Sequence, residues 1–110
     1  MKILKRITRT LFRNGENDIS MEKAKKMLKE NKETILVDVR SHQEYEEYHL
    51  NGAICIPLSE LSTSIRNKIK NRYTPIIVYC QSGNRSKKAM KILNNLCYSN
   101  VYNIIGGLEQ

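Results

Sequence analysis

The chain contains no apolar run near the roughly 18 residues that a membrane-spanning helix needs. Apolar residues at its start are interrupted by Lys5, Arg6 and Arg9, which spoils the apolar segment of a secretory leader. A cytoplasmic protein without a membrane span is therefore expected. A CxxC pair is also absent, and three cysteines are an odd number, so neither a disulfide framework nor a zinc site fits well. A reducing compartment and a reactive thiol fit better. Internal repeats and low-complexity segments are missing too. What is present is enough for one compact unit: 110 residues, 40% hydrophobic and 27% charged.

Charge is unevenly spread. Residues 1–17 hold five basic side chains against Glu16 alone, so half of the net charge of +8 lies there. Ile3, Leu4, Ile7, Leu11 and Phe12 recur at helical spacing among Lys2, Lys5, Arg6, Arg9 and Arg13, which makes this a short basic amphipathic arm. A leader, a membrane-surface helix and a nucleic-acid contact all use such segments. The apolar stripe is short and no aromatic stacking set accompanies the charges, so a disordered or packed leader is preferred and no nucleic-acid partner is expected. The domain proper is then 18–110.

Along that domain the signals alternate between strand and helix. Ser20 is an N-cap for a helix from Met21 to about Glu30. Thr34 to Val39 is a continuous β-rich run, as in a strand covered on both faces. Ser41 with Glu44 forms a capping box for a short helix through about Tyr48. Ala53 to Ile56 is a second strand, stopped by Pro57, and Leu58, Leu61, Ile65 and Ile69 mark the next helix. Pro75 to Tyr79 is a third strand, followed by a helix from about Ser86 to Cys97, and Val101 to Ile105 is a fourth strand. This order predicts an α/β fold with a mainly parallel sheet and a ligand site at the carboxyl ends of its strands.

Cys80, Gln81, Ser82, Gly83, Asn84 and Arg85 connect the third strand to its helix, with Ser86 opening the helix. Small, turn-compatible residues there let successive backbone N–H groups converge on one point, and the helix N-terminus adds partial positive charge. Arg85 adds a cation, so the loop is expected to lower the pKa of Cys80 and to bind a charged sulfur species or oxyanion. A buried structural cysteine is the bland alternative. Its position in this loop favours Cys80 as a nucleophile.

This loop, with LVDVR at Leu36 to Arg40, EY at Glu44 and Tyr45, HLNGA at His49 to Ala53, and glycines at 106 and 107, resembles the rhodanese-like domain family over about residues 18–110. The resemblance implies a three-layer sandwich and a sulfurtransferase that needs no cofactor or metal. Cys80 would take a sulfane sulfur from thiosulfate or a persulfide and pass it to a small thiol, a protein thiol or cyanide. The loop from Gln81 to Arg85 would cradle the persulfide. Rhodanese-fold phosphatases and arsenate reductases carry a longer loop than the six residues from Cys80 to Arg85, so oxyanion chemistry is the weaker enzymatic alternative. A non-catalytic binding module is the alternative of another class. Many rhodanese domains continue into a final helix, so the domain is expected to lack its last residues.

Asp38 and Arg40, at a strand end, are expected to support neighbouring loops, and His49 to fix one by a hydrogen bond. Tyr48 replaces a glycine common in relatives. Cys55 reads as core, Cys97 as a helix end, and neither as a resolving thiol. Gln81 stands where thiosulfate-using relatives often carry a basic residue, while Lys87 and Lys88 lie just beyond the loop.

Overall fold

The computed structural model describes residues 17–109. Its elements alternate as β1 (Asp18–Ile19), α1 (Met21–Glu30), β2 (Ile35–Asp38), α2 (His42–Glu47), β3 (Ile54–Cys55), α3 (Leu58–Lys68), β4 (Ile76–Tyr79), α4 (Asn84–Asn95) and β5 (Val101–Ile104), closed by a 3-10 turn at Gly107–Glu109. The strands form one sheet in the order β1-β5-β4-β2-β3, and every pairing is parallel.

Side-chain alternation along the strands builds two cores. Val37, Val39, Ile76, Val78 and Cys80 face α3 and α4, meeting Leu61, Ile65, Ala89 and Leu93. Leu36, Ile77 and Tyr79 face the other way, toward Ala24 of α1 and Tyr45 of α2. Helices on both sides of a parallel sheet make the three-layer sandwich that the resemblance implies. Both predicted caps form: Ser20 accepts from Lys23 N–H, and Ser41 with Glu44 makes a complete capping box.

Three local expectations need correction. The sequence suggests no strand before Met21, yet Asp18 and Ile19 pair with Asn103 and Ile104. Asn17, grouped with the arm by composition, donates from Nδ2 to Val101 O at 2.7 Å and accepts from Asn103 N–H at 2.8 Å. The rest of the basic arm lies outside the described residues. Finally, α4 begins at Asn84 and not near Ser86: Gly83, at φ +104°, turns the chain into the helix without a side-chain cap, so no Ser, Thr or Asp marks the start.

Cys97 lies just beyond α4 at φ +73°, where helices usually place glycine, and Tyr98 N–H closes back onto Leu93 O at 2.9 Å. Tyr48, by contrast, is extended at φ −170°, which a tyrosine adopts without strain.

Candidate active site

β4 delivers Cys80 to the carboxyl edge of the sheet, and the next residues curl back over its sulfur. Cys80 Sγ accepts hydrogen bonds from Gly83 N–H at 3.0 Å and Ser86 N–H at 3.3 Å, and lies 3.4 Å from Ser86 Oγ. Ser86 Oγ is also 3.1 Å from Gly83 O. With a protonated thiol, the chain of donors runs from Sγ to Oγ to the Gly83 carbonyl. With a thiolate, the serine hydroxyl can turn to the sulfur.

Burial by itself pushes the Cys80 thiol up. Donation from the Ser86 hydroxyl and from the N–H groups of Ser86, Gly83 and Arg85 outweighs it and holds the thiol below its ordinary value. Cys80 is 0% exposed, enclosed by the loop that follows it.

Arg85, the cation expected in the loop, is paired. Its guanidinium makes a fork with Glu44, Nη1 to Oε1 at 2.8 Å and Nη2 to Oε2 at 3.0 Å, and its main effect on Cys80 is through its backbone N–H. Together with the Ser41 backbone, this pair pulls the Glu44 carboxyl down to about 2. Asn84 and Arg85 stand on the first turn of α4, with Asn84 exposed; Gln81 is half-buried and Ser82 exposed.

A clip from the chain's end holds the loop from below. Leu108 N–H donates to Cys80 O at 3.1 Å and Glu109 N–H to Gln81 O at 3.0 Å. A Cβ on Gly107 would overlap the Cys80 carbonyl oxygen. The sequence marks the glycine pair only as a turn; that it presses against the loop leaves no local signal.

Asp38 and Arg40 pair with one another at the end of β2. Asp38, 0% exposed, accepts from Arg40 N–H, Nε and Nη2 and from the Tyr79 hydroxyl at 2.7 Å. Burial, and then Asp38, push the Tyr79 phenol far up, so it stays neutral and donates. Tyr79 in turn accepts from Leu50 N–H at 3.0 Å, and Arg40 Nη2 donates to Tyr48 O, so the network pins the 48–50 loop. His49 Nδ1 lies 2.7 Å from Tyr45 O, with its ring stacked on Tyr45 at 3.7 Å, the loop-fixing role its setting suggests. Tyr79 was missed as a support because its partner lies 41 residues away.

The other thiols are too far to resolve Cys80. Cys55 pairs in register with Asp38, which pairs with Tyr79, so two strand spacings of about 4.8 Å separate β3 from β4. Cys97 lies at the opposite end of α4, whose 12 residues span roughly 18 Å. Both exceed disulfide reach of about 7 Å. Cys55 is half-buried, with Sγ 3.7 Å from Arg40 O, and is therefore less of a core residue than its apolar neighbours suggest.

Beside the loop, an open groove of about 580 Å³ is lined by Arg40, Glu44, Glu47, Leu50, Gln81 and Leu108, among others. Among the described residues, no helix is long and apolar enough to cross a membrane.

A thiol held by backbone amides at the carboxyl edge of a parallel sheet, between two helical layers, defines a class of small α/β domain with sulfur at its centre. The chain belongs to the rhodanese-like domain family, whose sequence model matches residues 20–110. It is 37% identical over 73 residues to thiosulfate sulfurtransferase PspE of Escherichia coli K12, covering 66% of this chain and 69% of that protein. It is 36% identical over 85 residues to a tRNA uridine(34) hydroxylase of Buchnera aphidicola, but spans only 27% of that protein. The human single-domain sulfurtransferase TSTD1 has the same fold, with TM-score 0.74 at 24% identity, over 84% of this chain and 92% of that one.

Proposed function

We propose that this protein is a sulfurtransferase in which Cys80 carries the sulfur. The observation that carries the reading is the pair of N–H groups, from Gly83 and Ser86, aimed at Cys80 Sγ at 3.0 and 3.3 Å. The Cys80 thiolate attacks the outer sulfur of thiosulfate or of a persulfide. A bond forms from Sγ to that sulfur, the donor's sulfur–sulfur bond breaks, and sulfite or a thiolate leaves with the electron pair. The new terminal sulfur is cradled by the loop from Gln81 to Arg85, with Asp38, Arg40 and Ser86 supporting it. An acceptor thiol, or cyanide in an assay, then takes that sulfur and returns Cys80 as thiolate. Two half-reactions through one covalent intermediate give ping-pong kinetics.

The amide donors offset negative charge on the thiolate before attack and on the terminal sulfur afterwards, so they act at both stages. A six-residue span from Cys80 to Arg85 makes a tight ring, suited to a single sulfur more than to a tetrahedral phosphate. A cytoplasmic setting fits three unpaired cysteines.

Intact-mass spectrometry after exposure to thiosulfate or polysulfide tests the reading. Wild type gains one sulfur, removable by reductant, while Cys80→Ser stays folded and gains none. Failure of folded wild type to load with any donor would point instead to a non-catalytic binding module.

A further inference from the structure

Charge within the domain is divided between its two halves. Residues 18–60 carry six basic side chains against nine acidic ones, whereas residues 61–108 carry eight basic side chains and no carboxylate. The fold turns this bias into a surface. On one side of the sheet lie α1 and α2, where residues 21–47 hold six basic and seven acidic side chains. On the other side α3 and α4 pack together over the second core. Along α4, Ser86, Ala89 and Leu93 are buried while Lys87, Lys88 and Lys91 are exposed. Along α3, Leu61 and Ile65 are buried while Arg66 and Lys68 are exposed, and Lys70 follows in the loop. Two carboxylates border this face: Asp18, 3.9 Å from Lys87, and Glu60 on the first turn of α3, 3.1 Å from His42. Arg66, Lys68, Lys70, Lys88 and Lys91 form no ion pair among the described residues.

A face with unpaired cations of one sign is complementary to a polyanion. A protein partner needs an apolar centre to its interface, and such centres disfavour lysine. Between α3 and the end of α4 the large apolar side chain that stands exposed is Tyr73, at 78%, in the loop that also carries Lys70 and Arg72. Its backbone is held on both sides: Tyr73 N–H donates to Asn71 Oδ1 at 2.8 Å, and Tyr73 O accepts from Asn100 Nδ2 at 3.3 Å. The loop therefore fixes the ring's base and leaves the ring in solvent. Cations for phosphates and an aromatic ring for a base are the two parts of a single-strand binding surface. Loops and ends of RNA offer unstacked bases between phosphates, whereas a duplex hides its base faces. The missing aromatic set that argues against the N-terminal arm as a nucleic-acid contact is supplied here by Tyr73.

We propose that the outer face of the α3/α4 layer binds single-stranded RNA, with Arg66, Lys88 and Lys91 contacting phosphates and Tyr73 stacking on a base. The 12 residues of α4 run for roughly 18 Å, a length that a few nucleotides cover. This surface stands apart from the Cys80 loop and does not depend on the sulfurtransferase reading.

The test measures binding of the full chain to a fluorescein-labelled oligouridylate of about 12 nucleotides, by fluorescence anisotropy across a salt series. Three variants accompany wild type. One carries Arg66→Gln, Lys88→Gln and Lys91→Gln on the face. A control with the same loss of charge carries Lys23→Gln, Lys25→Gln and Lys29→Gln on α1, and the third is Tyr73→Ala. All seven side chains are exposed, so the variants keep the fold, which thermal unfolding checks. The face variant binds at least about tenfold more weakly than wild type, and its log–log salt slope drops by about two, as expected for three lost phosphate contacts on a single strand. The α1 variant stays within about threefold of wild type, and Tyr73→Ala weakens binding on the order of tenfold with the slope unchanged. Equal losses in the two triple variants would reduce the effect to net charge and overturn the inference. Wild-type binding to polyglutamate as tight as to the oligonucleotide, and indifferent to Tyr73→Ala, would assign the face to an acidic protein and overturn it too. Failure of wild type to bind the oligonucleotide at low salt overturns it outright.

Discussion

At the carboxyl ends of β2 and β4 the chain buries charge and polar atoms: Asp38, Arg40, Tyr79 and Cys80 are all at most 4% exposed and are tied to one another's loops. At the amino ends of the same strands the chain turns on asparagines that satisfy their own backbones, Asn31 Oδ1 accepting from Glu33 N–H at 2.9 Å and Asn71 Oδ1 from Tyr73 N–H at 2.8 Å. A smaller hollow of about 210 Å³ lies there, walled by Thr34, Pro75, Asn100 and Tyr102 among others. At the first end side chains reach partners 41 residues away; at the second, side-chain bonds two residues long shape the turns, while Asn100 Nδ2 reaches Tyr73 O across 27 residues. A local turn forms with little loop-closure cost and carries no stored chemistry. A buried network must be assembled by the whole fold, and in return it holds a thiol where amides can reach it.

Breaking each end separately separates the two kinds of construction. Asp38→Ala strips a buried guanidinium of its carboxylate and frees the Tyr79 hydroxyl. A loss of about 3–5 kcal/mol in denaturant unfolding is expected, with sulfur loading falling in parallel as the 48–50 loop loosens. A cost under about 1 kcal/mol would mean that the network is not what ties this end together.

Ser86→Ala should have a smaller effect on stability and a clear one on reactivity. Without its hydroxyl the Cys80 thiolate loses one charge-assisted donor, so its pKa rises toward the ordinary thiol value. Because the thiolate is the reactive form, the pH profile of loading moves to higher pH, and the rate at neutral pH falls on the order of tenfold. A rate loss with an unmoved profile would assign Ser86 to packing only.

Acid probes the Glu44–Arg85 fork. A carboxyl held at about 2 in the folded chain, against roughly 4.3 when unfolded, stabilises fully above the unfolded value and loses that contribution as pH falls toward 2. Glu44 and Arg85 side chains are 32% and 39% exposed, so solvent screening limits the effect to about 1 kcal/mol. It is read as the extra acid sensitivity of wild type over Glu44→Gln in denaturant titrations at pH 6 and 2.5. Equal sensitivity would remove the fork from the stability balance.

The smallest effect belongs to the far end. Asn71→Ala removes one local turn bond and should cost no more than about 1 kcal/mol, leaving sulfur loading unchanged. Slower loading by a folded Asn71→Ala protein would show that the two ends are coupled through the sheet.

How much of this was legible in advance follows from the same distinction. Helix starts at Met21 and His42 were readable because Ser20 and Ser41 act on residues three positions away. Strands at Ile35 and Ile76 were readable from their continuous apolar character. The start of α4 was misplaced by two residues because Gly83 turns the chain by conformation and offers no capping side chain. β1 was missed because two residues are too few to show a period.

The sequence by itself determined the order of the elements from α1 onward, the parallel α/β class and the presence of Cys80 in a short amide-rich loop, since each rests on neighbours within a few residues. Tertiary structure alone decided that Arg85 is paired with Glu44, that Gly107 must be glycine to pass the Cys80 carbonyl, that Tyr79 shares Asp38 with Arg40, and that Cys55 and Cys97 stand apart from Cys80. Those relations join residues brought together by strand order and helix layering, and separation along the chain leaves no periodic trace of contact in space.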